Sequence, residues 1–540
     1  MPDSRLEAAT RSHAPQVEAV LPSGAAAPAA WQCRPLLRAL LVAAGVCFAA
    51  TSATAQPVPA TPAAGQPSQS GVLALLPADV VTEHLANLGG ETLSYGAKAG
   101  TFTLFDQAGE RTAAIFHTAY TLNDAAADTR PVTFVFNGGP GAASAYLHLG
   151  LVGPRIADFG DRPDGATARL EHNPDSWLKF TDLVLIDPVG TGWSRAAAPD
   201  KADGFWGVEQ DAQALAKVIA LYLAETGRMA SPAYLLGESY GGFRAAKVAR
   251  ALQRDQGIVV RGIVMVSPFL EGALHFGAGR LALNAALLLP SIAATELDRQ
   301  GRFSAEALAS AERFAMTDYL VTLAGRAPDE EIAADFYGRV AELSGLPVDV
   351  VARVRGFVRR VYLTHARDAR QEVVSPYDAT YAAPDPFPES DDGRSSDPIL
   401  DGYLQSLGGL FVGYTRDQLG FKTPMTYMLL NREVSRKWRW NGGSGGRRNA
   451  SASGDLRELL ALNPSFRLLI GHGRSDLVTP YAVSRYVLDH LPETIAPERA
   501  QLAIYKGGHM FYFDSDSRAA FSAAAEAFYR NGLRENEPTP

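Results

Sequence analysis

The amino-acid sequence predicts an α/β fold: a mostly parallel central sheet flanked by helices, with a mainly helical cap inserted into it. Three observations carry this expectation. Apolar runs of strand length recur at 131–136, 182–187, 233–237, 262–267, 465–470 and 500–505. The run ending at Gly237 leads, within two residues, through Ser239 into a segment whose apolar positions have helical spacing. From about 270 to 400 the strand pattern gives way to helical periodicity, so the core falls into two parts separated by an insertion.

The first segment does not read as part of the fold. Arg34-Pro-Leu-Leu-Arg38 supplies positive charge, Ala39 to Ala50 is an apolar run of secretory length, and Ala53-Thr-Ala55 offers a small-residue cleavage site. Residues 1–55 are therefore read as a signal peptide, its apolar run too short for a membrane helix, which needs about 20 residues. The expected destination is the periplasm or the exterior, with no membrane contact after cleavage. Both cysteines, Cys33 and Cys47, precede the cleavage point, and Val46 before Cys47 fits a lipoprotein acylation site poorly. Residues 56–72, rich in Pro, Ala, Gln, Ser and Gly, read as a disordered linker.

The part that follows residue 55, roughly 485 residues, exceeds one simple core. The expected division is a core in two parts, 73–269 and 401–540, with a cap at 270–400. Glu91 to Leu122 alternates in strand fashion around Asp106-Gln-Ala-Gly109, a hairpin signal. Within the cap, helical periodicity covers 281–289, 305–323, 329–343 and 348–361, punctuated by Gly325, Pro328, Gly345 and Pro347. These helices are expected over the serine site. Tyr381 to Pro398, with Pro384, Pro386 and Pro388, reads as a loop back to the core. The arginines from Arg353 to Arg360 read as a solvated helix face, with an acidic-substrate site as the alternative.

Candidate chemistry centres on Gly237-Glu238-Ser239-Tyr240-Gly241. A serine at a sharp strand-to-helix turn lifts its hydroxyl above the sheet, and small residues two positions away on each side leave it room. The following helix points its positive N-terminal end at any negative charge developing there. Gly442-Gly-Ser444-Gly-Gly446 fits the same pattern but has no apolar strand before it, and reads as a loop.

A serine hydroxyl needs a base, and the base an orienting carboxylate. The run 465–470 leads into the Gly-rich loop Gly471-His-Gly-Arg-Ser-Asp476, and the run 500–505 into Lys506-Gly-Gly-His509. Asp476 is assigned as the orienting acid and His509 as the base. His472 is a weaker candidate because it precedes the acid in the same loop; Asp514 and Asp516 read as a solvated turn or helix cap. Asn137-Gly-Gly-Pro-Gly141, after the run 131–136, reads as a loop whose backbone N–H groups approach an oxyanion closely.

Together these segments resemble the serine carboxypeptidase family of α/β-hydrolases. The matching pieces are Asn137 to Gly141 with Ser144, Gly153-Pro154, Asn173-Pro-Asp-Ser-Trp177, Asp182 to Ser194, Gly237 to Gly242, Asp476 in its loop, and Gly508-His509-Met510. Eukaryotic members are disulfide-linked, so a chain without cysteine beyond Cys47 is closer to the bacterial branch. The resemblance implies a peptide substrate and release of its C-terminal residue. It implies that Asn137, Gly138 and Glu238 bind the terminal carboxylate, and that the backbone N–H groups of Gly139 and Tyr240 form the oxyanion hole. A carboxyl beside another carboxylate is favoured when protonated, which makes Glu238 a donor.

Two positions depart from the family: Val135 stands where it has Trp, and Leu151 where it has a second Glu that shares a proton with the first. The second departure keeps an esterase or acyltransferase open as the alternative. Arg155 or His148 could supply another carboxylate clamp, although packing or surface roles suit both. A non-catalytic binding protein on this scaffold is expected to lack a member of the trio, and all three are present. The net charge of −8 gives no nucleic-acid footprint. No Cys or His cluster has metal-ligand spacing and no phosphate-binding Gly loop opens a helix, so neither metal nor cofactor is expected.

Overall fold

Nine strands make the central sheet of the computed structural model, which describes residues 71–534 apart from 89, 161–162, 390–395, 441–442 and 496. They are β1 (Val80–Leu88), β2 (Glu91–Phe105), β3 (Arg111–Leu122), β4 (Val132–Phe136), β5 (Asp182–Ile186), β6 (Ala233–Glu238), β7 (Gly262–Val266), β8 (Arg467–Gly473) and β9 (Ala500–Tyr505). Their order across the sheet is β1-β2-β3-β5-β4-β6-β7-β8-β9, with the two-residue strand Arg195–Ala196 added to β3. The pairs β1–β2, β2–β3 and β3–β5 are antiparallel, and β5 to β9 with β4 form one parallel block. This is the predicted α/β architecture, a mostly parallel central sheet flanked by helices.

Strands β4 to β7 are buried on both faces, which is why they read as continuous apolar runs rather than alternations. Phe134, Leu235, Ile263 and Met265 face one core with Leu215 and Val248; Val135, Leu236, Val264 and Val266 face another with Trp177, Phe521 and Tyr529. Helices Val208–Glu225 and Tyr240–Ala251 contribute to the first layer, and Ser515–Arg534 to the second. Because β4 has β5 on one side and β6 on the other, the connections leave it in opposite directions. The crevice above the carboxyl ends of β4 and β6 is therefore the natural ligand site.

Several boundaries differ from the sequence reading. β8 runs on to Gly473, because β9 pairs it through His472↔Ile504 and Gly473↔Tyr505; Gly471 to Gly473 is strand rather than loop. A Cβ at Gly473 would overlap the Gly508 carbonyl, so the glycine is there for close approach and not for a turn. The 348–361 helix is two, Val348–Arg353 and Arg359–Arg370, since Arg355 (φ 54°) and Gly356 (φ 83°) turn the chain through left-handed backbone. The return segment contains a short strand, Ala382–Pro384, paired with Glu372–Val374. The expected signal peptide, 1–55, and the expected linker up to residue 70 lie outside the described residues; Gly71–Leu75, which takes in the last two linker positions, forms a short 3₁₀ turn with Leu73 buried.

Helices Ala282–Arg299, Ala305–Phe314 and Glu330–Ser344 bury Leu289, Ile292, Phe336 and Val340 against one another. Arg474 donates from Nε and Nη2 to the two carboxylate oxygens of Asp298, at 2.7 and 2.6 Å, and Tyr481 donates to Glu312 at 2.7 Å. These contacts fasten the helical segment to the residues that follow β8.

Candidate active site

Register places the first two site segments together. Phe136 pairs with Gly237, so Asn137 and Glu238 leave adjacent strands side by side. Ser239 then takes φ 59° and ψ −125°, a conformation costly for any residue with a Cβ. It is held by its own N–H on the Val266 carbonyl, 2.9 Å away, and by its carbonyl accepting from Gly242 and Phe269. The glycines follow from space rather than freedom. A Cβ on Gly237 would overlap the Gly241 carbonyl, and one on Gly241 would lie 2.6 Å from the Phe136 carbonyl. Gly138 approaches the turn so closely that a Cβ there would sit 2.6 Å from the backbone nitrogen of Tyr240. That contact puts the loop carrying Gly139 beside Tyr240 N–H.

Buried polar groups hold this loop. Ser144 N–H donates to Asp187 at 2.8 Å, and the Ser144 hydroxyl donates to the Ile186 carbonyl. The Asn137 carbonyl accepts from Arg244, a fully buried guanidinium on the helix after Ser239 that also pairs with Asp211 at 2.6 Å. Asn173 donates to the Leu151 and Gly153 carbonyls, both at 2.8 Å, fixing the segment after the loop.

His509 and Asp476 meet from the ends of β9 and β8. Nδ1 of His509 lies 2.7 Å from Oδ2 of Asp476, and both side chains are buried. Asp476 also accepts from Val478 N–H (2.7 Å), Thr479 N–H (3.0 Å) and the Thr479 hydroxyl (2.7 Å). Burial alone would raise the Asp476 pKa, but the His509 charge and these donors outweigh it and hold the carboxyl below its usual value. Burial alone would lower that of His509, but Asp476, with Glu238, holds the imidazole above its usual value. With Nδ1 turned to the carboxylate, the neutral ring presents Nε2 as its acceptor. Tyr377 braces the ring edge-on at 5.4 Å.

Glu238 is handled differently. Asn137 Nδ2 and the Tyr512 hydroxyl both donate to its Oε2, at 2.5 and 2.9 Å. Burial pushes the carboxyl up to about 7, against the opposing pull of His509 and of these two donors. Asn137 is oriented in turn by accepting from Leu147 N–H at 3.1 Å.

Ser239, His509, Asn137, Gly138, Gly139 and Glu238 line one cavity of about 370 Å³. Tyr240 and Asp476 are not among the lining residues; Asp476 stands behind His509, on its Nδ1. The cavity is also lined by Tyr377, by Asp397 of the predicted return loop, by Leu400, and by Arg432 and Arg447, and by no residue of the helical runs predicted between 281 and 361. Arg353, Arg355, Arg359 and Arg360 are exposed and none lines the cavity.

The other candidates take structural places. His472 points its Nε2 at Ser484 (2.8 Å), and burial lowers its pKa to about 3. Asp514 caps the last helix through Ser517 N–H at 3.0 Å and pairs with Lys506. His148 is buried against Tyr120, 2.7 Å from its hydroxyl, and neither His148 nor Arg155 reaches the cavity lining. Ser444 lies on short turns over Gly443–Asn449 with no sheet strand before them. Among the described residues no group of three His, Cys, Asp or Glu is placed to hold a metal ion.

Arg244, Thr479 and Tyr512 were not read from the sequence. Arg244 has a weak signal, a charge on the helix face that starts beneath the serine; Tyr512 has only its place three residues after His509.

Residues 100–272 match the family model described as serine carboxypeptidase. Over 150 residues the chain is 31% identical to the pheromone-processing carboxypeptidase KEX1 of Yarrowia lipolytica, covering 27% of this chain and 23% of that one. Over 154 residues it is 30% identical to serine carboxypeptidase-like 36 of Arabidopsis thaliana, covering 27% and 29%. The chain thus spans less than a third of the length of these relatives. Among solved structures, a proline iminopeptidase from Mycobacterium smegmatis aligns with 81% of this chain and all of its own, at 14% identity and a TM-score of 0.36.

Proposed function

We propose that this chain is a serine carboxypeptidase that releases C-terminal residues from peptides through an acyl-enzyme on Ser239. The observation that carries this reading is one cavity lined by a strained serine, a carboxylate-bound histidine and a carboxyl that burial raises to about 7, with the serine and that carboxyl inside the segment matching that family. The Ser239 hydroxyl attacks the scissile carbonyl while His509 Nε2 takes its proton. The N–H groups of Gly139 and Tyr240 receive the oxyanion, and protonated His509 gives the proton to the leaving amine. Water, activated by the same imidazole, then frees the acyl group. Protonated Glu238, with Asn137 and Gly138, holds the terminal carboxylate of the residue that leaves.

In this reading residues 1–55 direct the chain to the periplasm or the exterior, and 270–400 form the cap of a core made by 73–269 and 401–540. No described helix is long and apolar enough to cross a membrane. The lack of cysteine beyond Cys47 supports a place in the bacterial branch, although the relatives above are fungal and plant proteins. Leu151, where the family has Glu, favours an esterase or acyltransferase as the second reading. The test compares a blocked dipeptide with its C-terminal amide and its ester. The carboxypeptidase reading expects the free acid to exceed the amide by at least tenfold in kcat/KM; equal rates contradict it.

A further inference from the structure

Glu238 lacks the carboxyl partner with which the family shares a proton, because the position is Leu151, fully buried in the core. What reaches Glu238 instead is Tyr512. Its ring passes over Gly150, where a Cβ would overlap it, one residue from Leu151. The ring is fully buried, and its hydroxyl donates to Glu238 Oε2 at 2.9 Å. Asn137 Nδ2 donates to the same oxygen. Oε1 accepts no hydrogen bond among the described residues, and Glu238 lines the cavity.

Two donors on one oxygen decide where a carboxyl proton can sit. With Oε2 occupied as an acceptor twice over, the proton belongs on Oε1, the oxygen left for a ligand. Tyr512 stays a donor throughout, since burial and then the neighbouring Glu238 hold its hydroxyl protonated well above the usual tyrosine range. We infer that Tyr512 replaces the missing acidic partner, as a positioning residue that fixes the Glu238 proton on Oε1 for the substrate's terminal carboxylate. The inference rests on the carboxypeptidase reading and says how this chain performs it with one carboxyl rather than two.

The groups facing Glu238 are His509, Asp476 behind it, Tyr512, Asn137 and Tyr146, whose buried hydroxyl has no partner among the described residues. None is a second carboxyl sharing the proton, so one protonation should govern free-acid recognition. That recognition is present below the Glu238 pKa and lost as pH rises through it. The Tyr512 bond favours the ionised carboxyl, so removing it moves this loss upward in pH.

The test is Tyr512→Phe, with kcat and KM measured across pH on a blocked dipeptide and on its ester. Below the descending limb, KM for the free acid should rise about fivefold with kcat little changed, the size of one neutral hydrogen bond. The limb itself should shift upward by about one unit. The ester profile should stay as in wild type, reporting an intact fold and serine site. An unchanged free-acid limb and KM in the variant, with wild type still preferring the free acid, overturns the role of Tyr512 alone. A wild type with no such preference overturns the carboxypeptidase reading and this inference with it.

Discussion

Two buried carboxyls serve this site, Glu238 in the cavity lining and Asp476 on the far side of His509, and their pKa values are driven in opposite directions. Asp476 receives two backbone N–H groups, a hydroxyl and an imidazole that becomes a cation, so its negative charge is held despite complete burial. Glu238 receives two neutral donors on one oxygen, and burial wins. Burial penalises both alike; the number and charge of the donors decide which carboxyl stays an anion. The anion orients and stabilises a protonated base. The neutral acid offers a proton to a substrate anion.

Replacing the anion should have the largest effect. Asp476→Asn removes the group that holds His509 in the useful tautomer, and kcat should fall on the order of 10⁴-fold on acid and ester substrates alike. A loss confined to free-acid substrates would break the comparison, since it would give Asp476 the role assigned to Glu238. Thermal unfolding of the variant checks that the fold persists.

Replacing the neutral acid should have a smaller and more selective effect. In wild type, free-acid hydrolysis requires neutral His509 and protonated Glu238. It should fall as pH drops through the raised His509 pKa, and again as pH rises through the Glu238 value of about 7. Ester hydrolysis needs only the first condition and should rise to a plateau. Glu238→Gln keeps an acceptor for Asn137 and Tyr512 and a donor toward the cavity at every pH. It should abolish the alkaline limb for the free acid while keeping KM within about tenfold. A limb that survives the substitution would assign it elsewhere.

Much of this was legible before the fold was known. The inner parallel strands announced themselves because burial on both faces leaves unbroken apolar runs, and Ser239 and Asp476 follow such runs, whereas His509 follows the part-buried edge strand β9. What escaped depended on tertiary contact. Gly471 to Gly473 looked like a loop because its glycines answer to close neighbours, the Phe521 ring at Gly471 and the Gly508 backbone at Gly473, and not to a turn. β1 has exposed Val81 and Leu85 and only one neighbour, so its alternation is faint. Tyr512 carries no motif; its meaning arises only where its hydroxyl meets Glu238, more than 270 residues earlier in the chain. The departure at Leu151 was visible, but its compensation was not.

The central claim is tested most directly by mass spectrometry of the products from a defined peptide mixture, with Ser239→Ala as the control. Wild type should release single residues in order from the C-terminal end, and the folded variant should release none. Internal cleavage, or release that persists without the serine hydroxyl, would contradict the account.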